Sequence, residues 1–67
     1  MDPLLVAARG GDYEAFTSLF ATTQSPHEVR THDGLSSTLL ASRNGHLQIL
    51  EFLLARGADP NDTEHYG

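Results

Sequence analysis

The chain has 67 residues, a formal net charge of −5 and no cysteine. This length allows at most one small domain, which buries only about 60% of its unfolded surface. Without cysteine, a disulfide or a thiolate zinc site cannot stabilise it. The four arginines form no basic stripe, which disfavours nucleic-acid binding, and no apolar run approaches the roughly 20 residues of a membrane-spanning helix.

The start of the chain, Met1-Asp2-Pro3, is acidic and carries no basic n-region. This pattern argues against a secretory signal, and the lack of cysteine fits a reducing compartment. We therefore expect an intracellular protein, either cytoplasmic or nuclear.

The first two predicted helices form a closely linked pair. Asp2-Pro3 is a typical helix start, because the carboxylate accepts hydrogen bonds from first-turn amides and proline loses no useful N–H there. We expect this helix to run to about Arg9 and to be ended by Gly11 in the left-handed conformation. Asp12 then caps a second helix, roughly 13–21. So short a link predicts an antiparallel pair.

A polar loop over residues 22–33 leads to a second pair of predicted helices. Ser36 is the expected N-cap of a helix that runs to about Arg43, and Asn44-Gly45 closes it. The next helix is predicted over 47–56. Its basic last turn and the following Gly57 are typical of a helix end.

The two pairs match each other at a spacing of 34 residues. The matching positions are Leu4, Ala7, Ala8, Gly11, Leu19 and Phe20, answered by Thr38, Ala41, Ser42, Gly45, Leu53 and Leu54. The expected buried faces are Leu4, Ala7 and Ala8, then Ala15, Phe16, Leu19 and Phe20, and in the last helix Ile49, Leu50, Leu53 and Leu54. This period is typical of stacked repeats, each too small to bury its own apolar face. It predicts a surface for contact rather than a pocket for chemistry.

The second pair resembles the ankyrin repeat. The resemblance is carried by Asp33-Gly34, Ala41, Asn44-Gly45-His46-Leu47, Ile49-Leu50, Phe52-Leu53-Leu54 and Gly57-Ala58-Asp59-Pro60-Asn61. The first pair is a weaker match, through Asp2-Pro3-Leu4, Ala7-Ala8 and Gly11-Asp12. The resemblance implies an all-α solenoid of helix-turn-helix repeats with short β-hairpin fingers. Repeat 1 would span about 1–30 and be cap-like, repeat 2 about 31–63, and a third unit would begin at 64–67.

The chain departs from the family pattern at the start of the second unit. Where the family has Thr-Pro-Leu-His, this chain has Ser36-Ser37-Thr38-Leu39. Ser36 can still cap, but Ser37 lacks the helpful proline and Thr38 places a hydroxyl where a core leucine usually sits. Leu39, like Leu5, replaces a histidine that braces the units in the family, so we expect that brace to be absent.

Two repeats are fewer than the three or so that stability usually requires. We therefore expect the chain to be an N-terminal fragment of a longer solenoid. The apolar face of repeat 2 is then bare, which predicts self-association.

The resemblance places the candidate partner-binding residues on the fingers and on the concave helix face. The finger positions are Arg30, His32, Asp33, Leu35, His65 and Tyr66, and the concave positions are Arg9, Arg43 and Asn44. Arg9 and Arg43 fall at matching positions, where two guanidiniums can hold partner carboxylates through forked hydrogen bonds. The alternative is that these are ordinary solvated arginines that stabilise helix ends.

No catalytic, cofactor or metal site is predicted. The four histidines do not form the preorganised set of ligands that zinc requires, and no segment resembles a nucleophile elbow or an oxyanion hole. The predicted function is a non-catalytic module that binds a protein or peptide, with no nucleic-acid or membrane partner. Two alternatives stay open: a structural N-terminal cap of a longer solenoid, and a regulatory domain of an enzyme whose chemistry lies beyond residue 67.

Overall fold

The computed structural model describes residues 2–59 and residue 61. These residues form four α-helices, α1 (Pro3–Gly10), α2 (Tyr13–Thr22), α3 (Ser37–Arg43) and α4 (Leu47–Ala55), with a short 3-10 helix at Pro26–Glu28. The all-α class is thereby confirmed. Among the described residues the β-structure is limited to one isolated antiparallel bridge between Arg30 and Ser36, so β-hairpin fingers are not shown. The expected start of a third unit, 64–67, lies outside the described residues.

Three of the four helices begin with the side-chain cap that the sequence predicts. Oδ1 of Asp2 accepts a hydrogen bond from the amide of Leu4 at 2.8 Å. Oδ1 of Asp12 accepts from the amide of Ala15 at 3.2 Å. The hydroxyl of Ser36 accepts from the amide of Leu39 at 3.1 Å. Each cap satisfies an amide that has no partner inside its helix, which fixes where the helix starts.

Glycine forms the same corner in both helix pairs. Gly11 and Gly45 have φ angles of +78° and +73°, a region that side chains disfavour and glycine adopts freely. At the first corner the amides of Gly11 and Asp12 both donate to the carbonyl of Ala7, at 2.9 and 3.1 Å. The two corners turn the chain back on itself, so α1–α2 and α3–α4 are two helical hairpins.

The hydrophobic core lies between these hairpins. The inner helix α1 packs against both α2 and α3, α3 packs against α4, and α2 touches α4 more sparsely. The buried apolar residues are Leu4, Leu5, Ala7, Ala8, Phe16, Leu40, Ala41, Ile49, Leu53 and Ala58. Each hairpin therefore buries its apolar side only by stacking on the other.

Burial follows this stacking rather than the apolar pattern alone. The predicted face of α2 is buried only at Phe16, whose ring contacts Phe52 of α4, while Ala15, Leu19 and Phe20 are half-buried. Leu50 is half-buried and Leu54 is 38% exposed, although both were expected in the core. At the spacing of 34, Leu50 corresponds to Phe16 and Leu39 to the buried Leu5. The second-hairpin residues are more exposed because no further helix pair covers them in the described part of the chain.

The start of α3 carries buried polar groups where an apolar residue or proline was expected. Ser37 and Thr38 are 3% and 4% exposed. The hydroxyl of Ser37 has no hydrogen-bond partner in the structure. Such a group loses its hydration without compensation, which identifies the start of α3 as a weak point.

No helix in the described part of the chain is both long enough and apolar enough to cross a lipid bilayer.

Candidate functional site

The C-terminal ends of α1 and α3 and the turn before α3 enclose a groove of about 290 Å3, here called the α1–α3 groove. Its lining residues are Arg9, Thr31, His32, Asp33, Leu35, Leu40, Arg43 and Asn44. Six of these eight are predicted partner-binding residues, all except Thr31 and Leu40. The structure therefore brings together positions that lie far apart in the sequence.

The other three predicted residues lie outside this groove. Arg30 lines an adjoining cleft with Asp2 and Leu5, and this cleft shares Thr31 and His32 with the groove. His65 and Tyr66 lie outside the described residues.

The turn that forms one wall of the groove is closed by hydrogen bonds at residues 31 and 35. The amide of Thr31 donates to the carbonyl of Leu35 at 2.9 Å, and the amide of Leu35 donates to the hydroxyl of Thr31 at 3.0 Å. The tip carries His32 and Asp33, whose side chains are 94% and 70% exposed, with Nε2 and Oδ1 3.3 Å apart. A closed turn thus presents both polar side chains to solvent.

Leu35 forms part of the floor of the groove. It is one of the finger positions predicted to contact a partner, and it is half-buried and packs against the hydrophobic core. One side of Leu35 is therefore used in folding, and the remainder gives the groove an apolar patch.

The two groove arginines come from equivalent places in the two hairpins. Arg9 is in the last turn of α1 and Arg43 in the last turn of α3, and both are exposed. Cations at these positions also interact favourably with a helix C-terminus. The positions therefore suit both interpretations, contact with a partner and stabilisation of the helix ends.

Asn44 closes the end of α3, as the sequence predicts, and its side chain takes part in doing so. Its side-chain Nδ2 donates to the carbonyl of Leu40 at 2.8 Å, and its own amide donates to the same oxygen at 3.1 Å. One of the two side-chain N–H groups of Asn44 is therefore used at the end of α3.

His46 and His27 each contact a backbone carbonyl of the other unit, and these contacts were not predicted. Nε2 of His46 lies 2.9 Å from the carbonyl oxygen of Arg9, at the end of α1. Nε2 of His27 lies 3.0 Å from the carbonyl oxygen of Arg56, just after α4. Leu5 and Leu39 stand where the family has its bracing histidine, but these two histidine contacts also join the units. They could not be read from the sequence because they depend on how the hairpins stack.

The ring of His46 reaches its carbonyl because Gly11 has no side chain. A Cβ at Gly11 would lie 2.6 Å from two atoms of that ring. In the sequence, only Gly11 could have indicated this packing. Its positive φ alone already accounts for a glycine at that position. His46 thereby fixes the backbone of Arg9 beside the groove.

A cluster of aromatic rings joins α2 to α4, and none of these rings lines the groove. The ring of Phe52 makes edge-on contacts with Tyr13, Phe16 and Phe20, at centroid distances of 6.1, 6.0 and 5.1 Å. The guanidinium carbon of Arg56 lies 3.8 Å from the centroid of the Phe52 ring. These contacts stabilise the stacked hairpins.

In residues 2–59 and 61, no group of three or more histidine, aspartate or glutamate side chains is arranged to hold a metal ion. The His32 and Asp33 pair at the turn tip is strongly solvated. Exposed pairs of this kind contribute little to stability.

Two antiparallel helix hairpins that share one core define a helical repeat protein. Residues 33–65 match the model of the ankyrin repeat, and the chain belongs to the ankyrin repeat family. The match covers the second hairpin, which also carries the stronger sequence resemblance. Ankyrin repeats generally mediate protein–protein interactions, and the family is generally non-catalytic.

A curated relative supports this assignment. The ankyrin repeat and SAM domain-containing protein 6 of Rattus norvegicus is 39% identical over 54 residues. The aligned part covers 81% of this chain but only 6% of the rat protein. No solved structure matches the chain significantly.

Proposed function

We propose that this chain is a non-catalytic interaction module that binds a protein or peptide in the α1–α3 groove. The observation that supports the proposal is the meeting of six predicted contact residues, from the turn and from both hairpins, in one groove. Arg9 and Arg43 supply charge, Leu35 an apolar patch, and His32 with Asp33 the exposed turn tip.

The groove is formed before any partner arrives. Hydrogen bonds close the turn at residues 31 and 35, and the His46 contact holds the end of α1. A preformed surface loses little conformational entropy on binding. The turn at 31–35 is the recognition finger in this proposal. His65 and Tyr66 are assigned to the next finger, because Tyr66-Gly67 follows Asp33-Gly34 by 33 residues.

The test is a selection of short random peptides on the purified chain, followed by mapping of the binders. Perturbed NMR amide signals are expected at residues 31–35 and around Arg9 and Arg43. The double variant Arg9→Gln/Arg43→Gln should weaken selected binders by about fivefold or more, the scale of two exposed ion pairs.

The matched control is Gln24→Glu/Gln48→Glu, which changes net charge by the same amount at exposed positions outside the groove. It should bind the selected peptides as the wild type does. Two results would contradict the proposal: binders that shift NMR signals only in α2 and α4, or binders whose affinity is the same for Arg9→Gln/Arg43→Gln as for the wild type.

A structural role is the second candidate. It is supported by the half-buried Leu39 and Leu50 and by Leu54, which is 38% exposed. These residues leave an apolar side of the second hairpin open to a further repeat. In that case the groove variants would leave every partner interaction of the full solenoid intact, while Leu50→Glu would destabilise it.

A further inference from the structure

The charges of this acidic chain are unevenly placed. Arg9 and Arg43 line the α1–α3 groove, and Asp33 is the one carboxylate among its described lining residues. Arg30 lines the adjoining cleft together with Asp2. The remaining carboxylates of the described chain, Asp12, Glu14, Glu28, Glu51 and Asp59, line neither cavity. Asp59 lines a further cavity together with Arg30. Arg9 and Arg43 thus share a groove with one described carboxylate on a molecule whose net charge is −5, whereas Arg30 lies near acidic residues.

Hydrogen bonds at the helix ends beside the groove reduce the repulsion that a negative group would meet there. Carbonyls at a helix C-terminus carry partial negative charge and would repel an anion. The carbonyl of Arg9 is contacted by His46 at 2.9 Å, and that of Leu40 accepts two hydrogen bonds from Asn44. Because these two carbonyls are hydrogen-bonded, they oppose an anion less than free carbonyls would.

Asp33, the one carboxylate among the described lining residues, opposes the charge of Arg9 and Arg43 only weakly. Asp33 sits at the turn tip with its side chain 70% exposed and 3.3 Å from His32. Water and salt screen a carboxylate at such a site.

We infer that the groove accepts an acidic peptide segment, with a carboxylate held by Arg9 and Arg43 and an apolar side chain placed against Leu35. This inference rests on the proposed function and adds the chemical class of the partner. Guanidinium binds carboxylate through two parallel hydrogen bonds, which gives direction as well as attraction. The half-buried Leu35 supplies the apolar contact that exposed ion pairs need to reach useful affinity.

A short peptide fits these observations better than an extended polyanion. Arg9 and Arg43 line a groove of about 290 Å3, which suits a short segment. A nucleic acid extending past it would meet the carboxylates elsewhere on a chain of charge −5. Nucleic-acid binders instead show a continuous basic surface.

The test compares the composition of random peptides selected by the wild type and by Arg9→Gln/Arg43→Gln. Wild-type binders should be enriched in aspartate and glutamate, and the enrichment should disappear with the variant. Replacing glutamate by glutamine in a selected peptide should weaken binding by about fivefold or more, and raised salt should do the same. The control variant Gln24→Glu/Gln48→Glu should retain the enrichment.

The outcomes separate this inference from the function on which it rests. Binders that map to the groove without acidic enrichment would overturn the inference and leave the proposed function standing. No binder at the groove would overturn both. Displacement of the acidic peptide by an oligothymidine of equal charge at equal concentration would assign the groove to polyanions and overturn the peptide assignment.

Discussion

Gly11 and Gly45 occupy the same corner of the two hairpins but have different surroundings. A Cβ at Gly45 would meet no atom within 4 Å, whereas at Gly11 it would lie 2.6 Å from the His46 ring. We expect Gly45→Ala to cost about 1–2 kcal/mol, because the left-handed conformation disfavours a side chain. Gly11→Ala should cost about 1–3 kcal/mol more through overpacking. The free energies of unfolding in urea would show the difference.

The double variant Gly11→Ala/His46→Ala identifies the cause of that difference. Removing the ring should recover the overpacking part of the loss, so the two substitutions should not be additive. Equal losses at Gly11 and Gly45, or simple additivity in the double variant, would contradict this account of the corner.

The histidine contacts predict a cost that depends on position. His46→Ala removes the contact with the Arg9 carbonyl and should destabilise the chain by about 1 kcal/mol, the usual net value of a hydrogen bond. His32→Ala is the control, because its side chain is 94% exposed and it should change stability by less than about 0.5 kcal/mol. Thermal unfolding of both variants is the measurement. Similar melting temperatures for the two variants would show that the His46 contact does not stabilise the stack.

At the scale of the secondary-structure elements, the start of α3 can be improved. Ser37 is the first residue of α3, and the preceding Ser36 has φ −86° and ψ 168°, the extended conformation that a following proline requires. Ser37→Pro should therefore stabilise the chain by about 1–2 kcal/mol. It removes a buried hydroxyl without a partner and restricts the unfolded chain. The melting temperature should rise by roughly 4–8 °C per kcal/mol.

Ser37→Ala separates the two contributions, since it removes the hydroxyl without fixing φ. It should give part of the stabilisation. A lower melting temperature for Ser37→Pro would mean that the start of α3 cannot accept the ring, although Asp2-Pro3 already has this arrangement at the start of α1.

The helices could be predicted from the sequence, each within about one residue at either end, because their signals are local. Asp2, Asp12 and Ser36 cap their own helices, and Gly11 and Gly45 turn their own corners. Burial was predicted less well because it depends on the neighbouring unit.

In the candidate site, too, features set by local sequence were predicted better than features set by packing. The matching register of Arg9 and Arg43 was visible in the sequence, and both line the groove. The closing of α3 at Asn44 was predicted too, because its contact with Leu40 is local. The partial burial of Leu35 was not predicted, because it depends on how the loop before α3 packs.

At the scale of the whole molecule, both ends of the two-hairpin stack are apolar. Val6, 45% exposed, lines a groove of about 500 Å3 on the first hairpin with Ala15 and Leu19. On the second hairpin, Leu39 and Leu50 are half-buried, although their counterparts Leu5 and Phe16 are fully buried by the neighbouring unit. One copy could therefore stack its second hairpin on the first hairpin of another, repeating the contact that already exists within the chain. Such a contact is heterologous and does not close.

Sedimentation equilibrium should consequently show a mass that rises with protein concentration. Leu50→Glu should abolish the rise by placing a charge in the apolar contact, while Gln48→Glu, on the exposed side of the same helix, should leave it unchanged. Salt should strengthen the association, because it screens the repulsion between copies of net charge −5. Capture of an acidic peptide should respond to salt in the opposite direction, so the two surfaces can be told apart in one titration. A wild-type chain that stays monomeric at its highest soluble concentration in high salt would show that the open apolar sides do not bind another copy.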